Sequence, residues 1–89
     1  MLRITPIASQ DNRVALQVEG RIVGEDTLLL ERECWAIQGG GSSVRLDLAG
    51  VRYVDRSAIR LLKALQQQGL EISGCSPLLR EILADGDPR

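Results

Sequence analysis

VRLDLAGVRYVDRSAIRLL, residues 44–62, decides how this chain is built. Val44, Leu46 and Leu48 alternate with Arg45 and Asp47, the period of a strand with one buried face. A short turn follows and ends in Asp55-Arg56-Ser57, where the period changes. Ala58, Leu61, Leu62 and Leu65 recur at helical spacing, with Arg60, Lys63 and Gln67 on the other side. The pattern predicts a helix over about 56–68, closed by Gly69. A hydroxyl, a carboxylate and several cations thus meet at a helix N-terminus, where unpaired backbone N–H groups favour negative charge.

Downstream, Leu70-Glu71-Ile72-Ser73 reads as a short strand. Ser76-Pro77 opens a last helix as cap and first-turn proline. Leu78, Leu79, Ile82 and Leu83 give that helix its apolar face, and Gly86 is its expected stop. A strand–helix–strand unit of this length implies parallel strands with a right-handed crossover. Upstream, Leu2, Ile4 and Ile7 mark a first strand that Pro6 confines to an edge or breaks. Ser9-Gln10-Asp11-Asn12 is a turn, and Val14, Leu16 and Val18 alternate in a second strand, so the two form a hairpin. The stretch 20–25 reads as a loop, with Asp26 or Thr27 capping a helix that runs to about Gln38. Leu30, Cys34 and Ile37 face inward on it, Trp35 reads as core or interface, and Gly39-Gly40-Gly41 ends it. The expected fold is one α/β sandwich over residues 1–89, in the order β-β-α-β-α-β-α. It has a four-stranded mixed sheet and helices packed mainly on one face.

Composition narrows the function classes. With one Trp, one Tyr and no Phe, the core must be aliphatic, and no aromatic platform exists for single-stranded nucleic acid. A formal net charge of −1 gives no basic field, so no nucleic-acid partner is expected. No apolar run approaches the ~20 residues of a membrane span, so no membrane insertion is expected. The N-terminus does not resemble a secretory signal, and a cytoplasmic location is expected. Histidine is absent, which removes imidazole catalysis and histidine metal ligation. Cys34 and Cys75 are far from metal-ligand spacing and read as free thiols. Asp47 and Asp55 are accompanied by no nucleophile–base pair, phosphate cradle or metal cluster, so no enzyme, cofactor or metal is expected.

The junction residues carry the functional candidates. Asp55 can cap the helix while Ser57 pairs within its first turn. Ser57 can instead be a phosphoacceptor, its phosphate meeting the helix N-terminus with Arg56 and Arg60 offsetting the charge and Asp55 opposing it. Arg52, Arg56, Arg60 and Lys63 form either a solvated face or a docking surface for an acidic partner. The loop over 20–26 lacks the Gly-Lys-Ser/Thr ending of a phosphate loop. It is a connector or a partner-contact loop near the Ser57 turn, with Asp26 as its contact residue.

Three runs in this order resemble the STAS domain family, the domain of sulphate transporters and anti-sigma factor antagonists. Asp47-Leu48-Ala49-Gly50-Val51 is similar to the family's strand ending. Val54-Asp55-Arg56-Ser57-Ala58 is similar to its acceptor turn, and residues 74–83, GCSPLLREIL, to its later helix. Residues 20–27 lie where the family carries the loop before its first helix. The resemblance implies a STAS fold and a non-enzymatic switch. Such a domain binds a serine kinase that is also an anti-sigma factor, and lets go when its turn hydroxyl is phosphorylated. Ser57 matches the acceptor and Asp55 the motif's acid. Arg56 stands in place of a first hydroxyl, and Ala58 in place of glycine. An alternative within the same family is an unphosphorylated adaptor subunit bound to the ATPase of an ABC-type lipid transporter.

Overall fold

The computed structural model describes residues 2–84, without the Ala8 side chain. Met1 and residues 85–89, with the expected helix stop at Gly86, lie outside the described residues. The elements are β1 (Leu2–Gln10), β2 (Arg13–Ile22), α1 (Asp26–Gly39), β3 (Ser43–Val54), α2 (Arg56–Gln67), β4 (Glu71–Ser73) and α3 (Pro77–Ala84). The expected order β-β-α-β-α-β-α is the observed one.

Asp11 and Asn12 both take left-handed backbone angles, φ 54° and 64°, between the paired residues Gln10 and Arg13. That is the two-residue turn whose twist suits an antiparallel hairpin, and Asp and Asn tolerate it well. β1 pairs only with β2, so Pro6 costs no second ladder bond, and the register slips between Pro6 and Ala8. The sheet order is β1-β2-β3-β4, with β2, β3 and β4 mutually parallel. Each parallel step is spanned by a helix, α1 and then α2.

Leu16, Val18 and Ile22 on β2 and Val44, Leu46 and Leu48 on β3 point to one face. Against them pack Leu30 and Cys34 of α1, Ala58, Leu62 and Leu65 of α2, and Leu79 and Leu83 of α3, all in one buried cluster. The opposite face carries Arg3, Thr5, Arg45, Glu71 and Ser73 in solvent. The helices thus cover one side of the sheet, as an aliphatic core of this size allows.

Four local expectations are corrected. First, Gly20, Arg21 and Ile22 are strand rather than loop. Arg21 and Ile22 pair with Tyr53 and Val54, and Ile22 is fully buried. Second, β3 runs on to Val54 with no turn before Asp55. Register shifts near Gln17/Glu19 and Gly20/Arg21 absorb its extra length against β2. Third, the N-cap of α1 is Glu25, in helical conformation and without a side-chain cap bond. Asp26 and Thr27 sit inside the helix instead. Thr27 Oγ1 donates to the Gly24 carbonyl at 2.8 Å, and Asp26 Oδ2 accepts from the Val23 N–H at 3.4 Å. Fourth, Trp35 and Leu78 are exposed, so Trp35 is not core and Leu78 lies off the buried face of α3. α1 and α3 carry more apolar residues than one face can bury.

Ser76 caps α3 as expected, its Oγ accepting from the Leu79 N–H at 3.2 Å. Just before it, Gly74 has φ +74°, and a Cβ there would lie 2.5 Å from Asp47 Oδ1 and 2.8 Å from the Ala49 nitrogen. Gly74→Ala is expected to cost about 2 kcal/mol, more than strain-free Gly→Ala changes, because both backbone angle and space refuse the methyl. Gly39→Ala is the control, since a Cβ there would meet nothing within 4 Å. Urea unfolding of the two variants should separate them clearly.

Candidate functional site

α2 begins where β3 ends, with no intervening residue except Asp55. Asp55 is extended, φ −94° and ψ −177°, and its N–H donates to the Ile22 carbonyl at 3.2 Å. β2 therefore holds the cap in place. Asp55 Oδ1 accepts from the Ala58 N–H at 2.9 Å and from the Ser57 hydroxyl at 2.7 Å. Oδ2 accepts from the Gly24 N–H at 2.8 Å. One carboxylate thus binds the first turn of α2 to the loop before α1, two segments 31 residues apart in sequence. Gly24 reaches this position with φ +54°, a left-handed angle that suits glycine.

Three donors favour the ionised carboxylate. The Gly24 amide, then the Ala58 amide and the Ser57 hydroxyl, hold the Asp55 pKa below its ordinary 3.8. At neutral pH Asp55 is an anion whose oxygens are already committed.

Ser57 is exposed in the first turn of α2, and Arg56 beside it and Arg60 one turn on are exposed as well. Ala58 is fully buried, so the turn is anchored directly beneath its exposed hydroxyl. Lys63 is half-buried another turn along. Arg52 is exposed on β3, at the place where two β3 residues face one step of β2. Asp26 is half-buried in the first turn of α1, just after the loop that the Gly24–Asp55 bond draws to α2.

Sequence reading placed the 20–26 loop near the Ser57 turn but missed two contacts. Gly24 is a partner of Asp55 through a long-range bond that leaves no local trace. Arg21 and Tyr53 are register partners, and the Arg21 guanidinium lies over the Tyr53 ring, 5.7 Å from its centroid. Extending the alternation of β2 past Gly20 was the signal that pointed there.

The remaining chemistry is sparse. No group of three His, Cys, Asp or Glu side chains capable of holding a metal occurs among the described residues. No helix among them is long and apolar enough to cross a membrane. Asp47 accepts a bond from the Ala49 N–H at 3.0 Å on the open sheet face. Cys34 is buried, and burial, then Glu33 and Glu31, push its thiol up to about 11. Cys75 is half-buried, its pKa raised by burial and pulled back by Arg80. Iodoacetamide at mildly alkaline pH should therefore alkylate Cys75 first. Cys34 should react only after unfolding, as peptide mass mapping would read.

Residues 6–86 match the family described as "Mlab, STAS domain". No curated protein matches the chain significantly. Among solved structures, the anti-sigma factor antagonist SpoIIAA in its unphosphorylated form superposes with a TM-score of 0.76. The two are 13% identical over 94% of this chain and 84% of that one, a likeness of fold. Mglu in its native form aligns at a TM-score of 0.43 and 24% identity, covering 83% of this chain and 22% of that chain. That overlap is too loose to bear on the site.

Proposed function

Because the chain belongs to the STAS domain family, we propose that it is a regulatory protein-docking module of the anti-sigma factor antagonist type. Its contact surface is the N-terminal turn of α2, and the charge at Ser57 sets its affinity. The observation that carries this reading is the exposed Ser57 hydroxyl, 2.7 Å from Asp55, on a buried and capped helix start. Esterifying that oxygen removes the proton it donates to Asp55. It also adds about 1.5 to 2 negative charges to an exposed turn. The α2 amides and Arg56 and Arg60 favour that charge, while Asp55 repels it. Fold is unaffected and the docking surface is changed, as a switch requires. The module is cytoplasmic and non-enzymatic, and its partner is a protein with serine-kinase activity.

Incubation with ATP and such a kinase should add one phosphoryl group, mapped to Ser57 by fragmentation. Modification confined to other residues removes the switch. In parallel, Ser57→Asp should weaken kinase binding by about ten-fold or more, because a charge facing a docked surface without a partner is costly. Ser57→Ala should bind like wild type.

A second reading is an adaptor that docks constitutively on the ATPase of an ABC-type lipid transporter. Arg56 favours it by filling the place of the first hydroxyl. Here the same turn packs against its partner without modification. Recovery of a transporter ATPase from native lysate, undiminished in Ser57→Asp, would select the adaptor over the switch.

A further inference from the structure

We propose that Arg21 and Tyr53 extend the docking surface from the start of α2 onto the rim of the sheet, where they grip an acidic segment of the partner. The inference rests on the reading of the α2 turn as a docking surface, and adds an anchor and a partner chemistry to it. Ile22 and Val54 turn toward the core one residue after this pair, and Asp55 follows at once. Arg21 and Tyr53 therefore stand on the open face, immediately behind the cap. Both are exposed, and Tyr53 keeps 53% of its surface in solvent.

The pair is held together before any partner arrives. The guanidinium lies over the ring, so Tyr53 is ordered by Arg21 and Arg21 by Tyr53. This cation–ring contact does not use the guanidinium N–H donors, which can bind a carboxylate in bidentate fashion. A rigid aromatic beside an arginine is the composition of an interface anchor, because little side-chain entropy remains to be lost.

The charges around the pair choose the partner. Register passes from Gly20 opposite Val51 to Arg21 opposite Tyr53, so Arg52 is the extra residue of a bulge. Bulges re-aim side chains, and Arg52 is exposed next to Tyr53. Arg52, Arg56 and Arg60 follow one another along the β3–α2 junction and Arg21 is the register partner of Tyr53 within it, so four exposed arginines belong to this junction in a chain whose net charge is −1. The anions nearby offset them only in part. Asp55 spends its oxygens on three internal donors, and Glu19 lies back over Gly50. Glu25 and Asp26 belong to the α1 side of the site. A run of carboxylates complements this junction.

The test is an amide NMR titration of the whole chain with acetylated hexaglutamate at low salt, with hexaglutamine as the uncharged control. Saturable shifts are expected at Arg21, Arg52, Tyr53 and Arg56, with none from hexaglutamine. Tyr53→Ala and Arg21→Gln should each weaken hexaglutamate binding by about three- to ten-fold, the scale of a stacked, partly exposed cation. Arg13→Gln removes the same charge at the far end of β2 and should leave the affinity unchanged. Equal losses in Arg13→Gln would mean diffuse electrostatics and overturn the proposal. So would shifts elsewhere, or wild-type affinity in Tyr53→Ala and Arg21→Gln. If those two variants bind normally while Ser57→Asp weakens binding, the docking turn stands and its extension falls. If they weaken binding while Ser57→Asp does not, the rim anchor stands and charge control at Ser57 falls.

Discussion

Leu46→Ala is expected to lower the unfolding free energy by about 3 kcal/mol, within the usual range for a fully buried leucine. Leu46 has no exposed surface and sits at the centre of the sheet, opposite Leu16 on β2 and Ile72 on β4. Its side chain faces the layer formed by α1, α2 and α3. The protein has no phenylalanine, and its Trp35 and Tyr53 are exposed. No large flexible ring is available to fill the space, so the cavity term should be retained rather than relaxed away. A chain of 89 residues has about 4 to 13 kcal/mol of stability in total. The loss is therefore a large fraction of what holds the fold. Urea unfolding followed by helix circular dichroism is the appropriate measurement, because the indole of Trp35 is already in water and reports little. Leu78→Ala provides the contrast. That leucine is 69% exposed on α3, and its removal should change stability by no more than about 0.5 kcal/mol. A midpoint for Leu46→Ala close to that of Leu78→Ala would show that the core is not arranged as described.

Leu46 also marks what the sequence made legible. Its alternation with Arg45 and Asp47 is local information, as are the caps at Asp55 and Ser76 and the turn at Asp11-Asn12. Each is written within a few neighbouring residues, and from them the order of elements follows. The motifs at Asp47–Val51, Val54–Ala58 and residues 74–83 then pointed to the right family. What stayed hidden is non-local or directionless. Gly20 and Arg21 become strand because β3 lies beside them, and only the alternation carried on to Ile22 hints at it. Asp26 and Thr27 have good capping chemistry, yet the loop they serve closes through Gly24 and the helix starts a residue earlier. The helical spacing of α1 placed Leu30 and Cys34 inward, as observed, but with apolar residues around much of the circumference it could not say that Leu28 and Trp35 would face water. The turn at Asp55-Arg56-Ser57 was legible, but its bond to Gly24 and its neighbours Arg21 and Tyr53 required the pairing of β2 with β3.

Asp55→Asn should reveal how much of the site depends on one charge. Asparagine fits the same space, and one oxygen can still accept from the Ala58 N–H. That same oxygen still accepts from the Ser57 hydroxyl, so the amide nitrogen faces the Gly24 N–H, and two donors cannot pair. The thermal midpoint is expected to fall by several degrees, and the Gly24 amide should lose protection from hydrogen exchange. Acidification provides the sharper test. The folded pKa of Asp55 lies below the unfolded value of 3.8, so its stabilising contribution is complete above that value. It disappears as pH falls through the folded pKa, where wild type protonates the carboxylate and loses the same acceptor. The difference between wild type and Asp55→Asn should therefore be largest at neutral pH and shrink toward zero in acid. Other carboxylates titrate equally in both proteins and cancel from that difference. Added salt should change it little, because the stabilisation comes from short hydrogen bonds rather than from distant charges. A gap that stays constant from neutral to acid pH would mean that Asp55 acts by shape alone. It would also mean that Ser57, whose hydroxyl rests on this carboxylate, is not held by a charge that a phosphoryl group would have to confront.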